Sequence, residues 1–407
     1  MLNWVNQFSI FCFLDNQQYN NPPHKYECIL AAGAASSVNS NESSLRELDV
    51  FLYNKTWKLG HIAYDLKECL HQIPSRKINY VGFPHFFFFT PQILLILQDN
   101  RLQIHADVPD EVFHQCMDQQ VDTSFHHINA SIQPRVTKSE YISIISKLQQ
   151  HIQRGDCYEI NFCQEFYIND LEIDVSIVFD KLMQTSPNPF SALYRLHDKF
   201  LICASPERFL TCEGDTILSQ PMKGTAKRNV NNKDADKELL TELFNNKKER
   251  AENVMVVDLV RNDLSRICIE NSVKVDELYE IYSFPQVHQM VSTVSGKLST
   301  YVPFSEILFA TFPMGSMTGA PKYRVMELIE QYELSSRGIF SGSVGYMDPD
   351  NNFDFNVVIR SIMYNATKKY ISYQVGSGIT IYSDAEKEWE ECLLKAQAII
   401  KVLTNSM

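Results

Sequence analysis

Pro221-Met222-Lys223-Gly224-Thr225-Ala226-Lys227-Arg228 sets one lysine between a proline turn and a glycine, directly after the alternating run Asp215 to Ser219. The run predicts a strand. A strand ending in Pro-x-Lys-Gly can hold an amine at a fixed spot, and the glycine lets the backbone pass close to a ligand. Charged turn residues are ordinary on any protein surface, so Lys223 gains meaning only from other stretches of the chain.

Composition bounds what those stretches can be. With 407 residues, 44% of them hydrophobic, the chain can bury a sizeable core in one large domain or two. A formal net charge of -12 argues against nucleic acid or an anionic membrane as partner, since both attract clustered Lys and Arg. An anionic substrate therefore needs a local positive site. The ten cysteines lie far apart with no Cys-x-x-Cys pair, which indicates neither a zinc module nor a small disulfide scaffold. Reduced thiols in a cytoplasmic protein are the simplest expectation. Met1 to Leu14 lacks a basic leader and a cleavage site. The most apolar run, Phe86 to Leu97, is broken at Thr90-Pro91 and is shorter than the ~20 residues of a spanning helix. It reads as two buried core strands.

Residues 1–118 mix short apolar runs with turn signals and are expected to contribute strands to the same body as the rest. The polar stretch 119–136 reads as a linker. From 137 to 407 runs the main domain. It opens on the capping box Thr137-Lys138-Ser139-Glu140, with Tyr141, Ile144, Ile145, Leu148 and Ile152 at helical spacing until Gly155. Strands are expected near Tyr158–Tyr167, Phe200–Ala204, Phe209–Cys212, Ser343–Met347, Asn356–Tyr364 and Tyr370–Val375. Helices are expected within Lys237–Ile267 and over Phe304–Phe312, then from Pro321, and finally over Asp384–Leu403.

Seven stretches share a pattern: residues 155–166 (GDCYEINFCQEF), 204–210 (ASPERFL), 221–228 (PMKGTAKR), 250–264 (RAENVMVVDLVRNDL), 312–322 (FPMGSMTGAPK), 342–346 (GSVGY) and 376–379 (GSGI). Together they resemble the chorismate-utilising enzymes, which remove or replace the ring hydroxyl of chorismate with magnesium present. The resemblance covers roughly Lys138 to Leu403 and is weak before it, where Gly60 to Leu66 is the main match. It implies an α+β fold of two packed, largely antiparallel sheets with helices outside, and makes 137–407 the chorismate-binding catalytic domain.

Glu388 and Glu391 stand three apart on the last predicted helix, hence on one face, and Mg2+ favours oxygen ligands from one or two carboxylates plus substrate and water. Alone, such a pair is usually a solvated helix face. The resemblance makes it a metal site completed by Glu252. Gly315 to Lys322 is a glycine-containing loop feeding a helix, whose free N–H groups suit an anion. The resemblance makes Thr318 and Gly319 carboxylate contacts there, and adds Tyr346, Arg360, Gly376, Gly378 and Lys395 as substrate contacts. It also makes Glu207 the general acid at the departing hydroxyl, a role that needs a raised pKa and so a partly enclosed carboxyl. Asp258, Arg261 and Asp263 are read as an internal polar network without chemistry.

Within the family, the aminodeoxychorismate synthases carry a lysine where this chain has Lys223, and anthranilate synthases and water-using members a small residue. The resemblance thus implies amine transfer. A lysine deprotonated by desolvation and nearby cations attacks ring carbon 2, and ammonia then displaces it at carbon 4. No Gly-x-Cys-x-Gly elbow is present, so a glutamine amidotransferase subunit is expected to supply the ammonia. The alternatives are anthranilate synthase component I, an isochorismate or salicylate synthase, and a non-catalytic regulatory relative. Two positions depart from the pattern. Gln289 stands where many members have histidine, with His288 one residue early, and Glu159 stands where water-using members have lysine and amine-transferring members usually glutamine.

Overall fold

The structure, a computed structural model, describes residues 1–19, 22–118, 131–284 and 287–404. Most of the stretch read as a linker, 119–130, lies outside the described residues. Every strand pairing among the described residues is antiparallel, and the strands form two sheets that share one long strand.

That shared strand is Phe86–Gln98. Its first half pairs with Lys58–Ile62 and its second half with Arg101–His105, while Cys28–Asn39 runs alongside both halves with a register shift between Ala34 and Ser36. The two strands expected here are therefore one, bent near Thr90-Pro91 where it passes from sheet to sheet. From its second half the first sheet runs through Cys28–Asn39, Ile10–Asp15, Phe190–Leu196, Lys199–Ser205, Ser361–Asn365 and Tyr370–Ile379 to Glu159–Ile168. From its first half the second sheet runs through Lys58–Ile62, Ser343–Met347, Phe353–Asn356, Arg208–Glu213 and Thr216–Gln220 to Val287–Lys297, whose other edge takes Lys274–Ser283.

Successive side chains on a strand face opposite ways, and the first sheet buries both faces. Cys12, Ile29, Ala31, Ala192, Tyr194, Leu201 and Cys203 join the core that includes Val344 and Phe355 of the second sheet. Their neighbours Phe11, Phe13, Leu30, Leu193 and Ile202 join a second core with Tyr141, Ile145, Val325, Cys392 and Ile399 of the helices. Face-to-face sheets with helices outside follow from that alternation.

The helix Lys138–Gln153 opens on the Thr137–Glu140 capping box, with both reciprocal bonds made. The region 237–267 holds two helices, Lys233–Asn245 and Lys247–Ser265, each started by an asparagine cap, Asn232 and Asn246. The single strand expected over Asn356–Tyr364 is broken: Phe353–Asn356 and Ser361–Asn365 belong to different sheets, and Arg360 between them has φ +51°. That crossing places Arg360 at the site.

Candidate active site

Lys223 lies inside a strand, not in a turn after one. Met222–Lys227 starts directly after Pro221 and continues along the edge of Val287–Lys297. Met222 pairs with Val291 and Thr225 with Gln289, so the Lys223-Gly224 step carries one residue more than the opposing strand. Such a bulge re-aims its side chains, and Gly224 supplies the φ of +85° it needs. Gln289 braces it, since its Nε2 donates to Gly224 O at 2.7 Å and its Oε1 accepts from Thr225 Oγ1 at 2.8 Å. His288 faces the other way, with Nδ1 2.8 Å from Ser283 Oγ and Nε2 3.2 Å from Asp236 Oδ1.

The bulge points Lys223 at carboxylates. Its Nζ donates to Glu159 Oε1 at 2.5 Å. Burial pulls the amine's pKa down, but the charges of Glu159, Glu252 and Glu207 outweigh it and hold the amine well above the usual lysine range. This corrects the expectation of an amine neutralised by desolvation and neighbouring cations: its neighbours are anions, and unliganded Lys223 is an ammonium.

Glu207 is 5% exposed. Burial pushes its carboxyl up to about 7, against the downward pull of a Ser316 hydrogen bond, of Lys223 and of Arg360. Burial also depresses the Arg360 guanidinium, and only the charge of Glu207 supports it. No ion pair engages Arg360 among the described residues, which leaves its fork available to an incoming carboxylate.

Two helices carry further acids. Glu252, from Lys247–Ser265, is raised to about 7, chiefly by burial, and its Oε1 is buried without a hydrogen bond. Glu249, one turn earlier, is also raised by burial. On Ala385–Thr404, Glu388 is buried, while Glu391 is 2.7 Å from Lys395, whose Nζ also donates to Gly376 O at 3.0 Å. Burial alone would raise Glu391, but Lys395 leads the cations that lower it. Glu252, Glu388 and Glu391 therefore do not form a ready cluster of mutually repelling acids, and no group of three metal-ligating side chains stands together among the described residues. The Glu252 Oε1, buried without a hydrogen bond and only 3.7 Å from Lys248 Nζ, nonetheless fits an ion that takes one or two carboxylates and completes its shell with substrate and water.

Gly376-Ser377-Gly378, near the end of the strand Tyr370–Ile379, closes the site against Lys223. A Cβ on Gly378 would lie 2.4 Å from Glu159 Oε1 and 2.8 Å from Lys223 Nζ, so only glycine leaves room for that pair. Gly319-Ala320 forms a short strand on Ile160 and Glu159. Arg337, paired with Glu333 at 2.6 Å, donates to Met317 O and Asn161 O at 2.7 and 2.8 Å and so ties the 315–319 loop to the strand of Glu159. Sequence reading missed Arg337, which carries no local pattern, and it named Gln289 and the 315–322 loop without the bracing role of Gln289 or the Ser316 contact to Glu207.

Three assignments move. Tyr346 is not at this site: its ring packs on Tyr26 and Trp57, and it lines a separate cavity with His24, Lys25 and Asp354. The alternation explains it, because Arg208 beside Glu207 faces that cavity's Asp354 and Glu207 the other way. Thr318 is fully buried, with its hydroxyl donated to Met314 O at 3.0 Å and its backbone N–H to Gly315 O at 3.2 Å, so neither is offered to a ligand. Asp258, Arg261 and Asp263 do not share one network: Arg261 pairs with Asp258 at the surface, and Asp263 pairs with Lys322 at 2.5 Å.

A partly buried lysine facing an enclosed glutamic acid, an arginine outside any ion pair among the described residues and a bank of carboxylates is an arrangement suited to an anionic substrate. The chain belongs to the chorismate binding enzymes, whose family model matches residues 14–401. It is 34% identical over 352 residues to aminodeoxychorismate synthase component 1 of Salmonella typhimurium, covering 85% of this chain and 76% of the relative. The Bacillus subtilis protein of the same name is 35% identical over 270 residues, 66% of this chain and 57% of the relative. Among solved structures, anthranilate synthase component I of Streptococcus pneumoniae has the same fold, with a TM-score of 0.82 at 22% identity over 92% of both chains. All ten cysteines are free, and among the described residues no helix is long and apolar enough to cross a membrane.

Proposed function

We propose that this chain is the synthase component of an aminodeoxychorismate synthase, converting chorismate and ammonia to 4-amino-4-deoxychorismate and water on the route to para-aminobenzoate and folate. The observation that carries the reading is Lys223 aimed by its bulge at the same enclosure as Glu207, in a chain similar along most of its length to proteins of that name. Arg360 binds a substrate carboxylate. Glu207, with a carboxyl near 7, is protonated in a useful fraction at neutral pH and delivers its proton to the departing carbon 4 hydroxyl. The Lys223 amine attacks carbon 2 as that hydroxyl leaves, and ammonia at carbon 4 then expels the lysine.

Mg2+ would be held by Glu252 with Glu388 and Glu391, where it supplies positive charge for a substrate carboxylate. Glu391 must then exchange Lys395 for the ion. Ammonia would come from a glutamine amidotransferase subunit, and the site of action would be the cytoplasm.

The test is purified chain with chorismate, magnesium and ammonium, products separated by chromatography. 4-Amino-4-deoxychorismate is expected. Anthranilate would make the chain an anthranilate synthase component I, isochorismate a water-using enzyme, and no product a non-catalytic relative.

A further inference from the structure

We propose that Glu159 is the proton acceptor of Lys223: a carboxylate built against the amine to take its proton as carbon 2 is attacked and to return it when the lysine is released. The inference rests on the covalent reading above and goes beyond it by saying how the amine becomes a nucleophile. Three observations meet at one point. Glu159 Oε1 is the hydrogen-bond acceptor of Lys223 Nζ at 2.5 Å, so a proton can move without rearrangement. Gly378 leaves a space that any side chain would fill, and both atoms of the pair occupy it. The Glu159 strand is itself held in place, through Gly319-Ala320 and Arg337 at Asn161 O along one edge and through Tyr370–Ile379 along the other.

The acids around the amine make such a base necessary. Lys223 feels Glu159, Glu207 and Glu252, and Glu249 and Glu391 from the two flanking helices feel Lys223 in turn. An amine held as ammonium by that field has no lone pair to give. Among these acids Glu159 is the one in direct contact, and the roles of Glu207 and of the metal-binding carboxylates leave it free.

The steps balance. One proton passes from the Lys223 ammonium to Glu159. The amine's lone pair forms the N–C2 bond, the ring double bond shifts, and the C4–O bond breaks, its oxygen leaving as water with the Glu207 proton. Ammonia then forms the C4–N bond, the double bond shifts back, and the C2–N bond breaks with its electron pair returning to Lys223. Glu159 hands back its proton to Lys223, and the new C4 ammonium gives one proton to the Glu207 carboxylate, which restores the acid. No oxidant or reductant enters.

The experiment reads adduct formation on the Lys223 peptide by mass spectrometry, in enzyme rapidly quenched after mixing with chorismate and magnesium without ammonia. Wild type is compared with Glu159→Gln and Glu159→Asp across pH 6 to 10. Loss of a general base predicts that Glu159→Gln forms the adduct on the order of 10²-fold more slowly at pH 7, recovers as rising pH strips the ammonium directly, and is partly rescued in Glu159→Asp. A Glu159 that acts only by charge predicts the opposite sign. Removing that anion frees the amine, so adduct would form as fast or faster in Glu159→Gln, and that result overturns the proposal. Chorismate binding by calorimetry, retained in both variants, separates a missing base from a collapsed site. If wild type turns over with ammonium but never carries an adduct, the covalent reading falls and this step with it. Adduct in wild type with equal rates in Glu159→Gln removes only the proton acceptor.

Discussion

At the level of single residues, the site is a set of ionisable groups in which burial competes with neighbouring charge, and Glu207, where burial wins, gives the clearest consequence. Its carboxyl rises from an ordinary 4.5 to about 7 because burial outweighs Ser316, Lys223 and Arg360. The folded protein thus binds a proton more tightly than the unfolded chain. Its stabilising contribution is complete below about pH 4.5 and is lost as pH rises through about 7. Glu207→Gln keeps the shape without the titration. It should raise the thermal midpoint relative to wild type at pH 8 and show little difference at pH 4, while turnover with ammonium falls on the order of 10²-fold or more. Equal midpoints at both pH values, or undiminished turnover, would remove Glu207 from the role. The residue types here were legible in the sequence because their motifs are compact. Their mutual charges were not: Glu159, Lys223, Glu207 and Glu252 come from four separate stretches, and no local pattern states that acids rather than bases would surround the lysine.

At the level of elements, the decisive device is the bulge at Lys223-Gly224, which exists only because Met222–Lys227 must pair with Val287–Lys297. Gly224→Ala tests it. The residue has φ +85°, and a Cβ would come within 3.0 Å of Glu249 Oε2 and 3.2 Å of Glu249 Cβ. A side chain held in that backbone region costs roughly 1–3 kcal/mol. The cheaper escape is to flatten the bulge, which swings Lys223 off Glu159. Denaturant unfolding should show a loss within that range, with kcat reduced more than chorismate affinity. Wild-type kcat in this variant would mean the bulge does not aim the lysine. Capping boxes and motif strands were readable because they are local. The bulge, the Arg337 brace, the unbroken strand Phe86–Gln98 and the outward turn of Tyr346 were not, since each is set by a partner strand or loop distant in sequence. Periodicity gives alternation along a strand; which face meets the ligand is decided by the neighbour.

For the whole molecule, residues 1–118 are woven into both sheets. Ile10–Asp15 lies between Cys28–Asn39 and Phe190–Leu196, and Lys58–Ile62 pairs with Ser343–Met347. The inner core takes Ile29, Leu59 and Phe88 from this part together with Ala192, Val344 and Phe355 from the rest. Without it, Phe190–Leu196 and Ser343–Met347 would each present an open hydrogen-bonding edge and an uncovered apolar face, a combination that invites aggregation. The chain is therefore expected to unfold as one cooperative unit, and its first 118 residues to be inseparable from the catalytic part. A protease site placed between residues 119 and 130 offers a way to cut the connection while leaving every described sheet contact in place. After cleavage the two pieces should co-elute in gel filtration, retain turnover with ammonium and melt in a single transition, and separate only in denaturant. A chain starting at residue 131 should collect in the insoluble fraction. If the cleaved pieces part in native buffer, or the shorter chain stays monomeric and melts cooperatively, the two parts are independent domains and the shared sheets do not hold the molecule together.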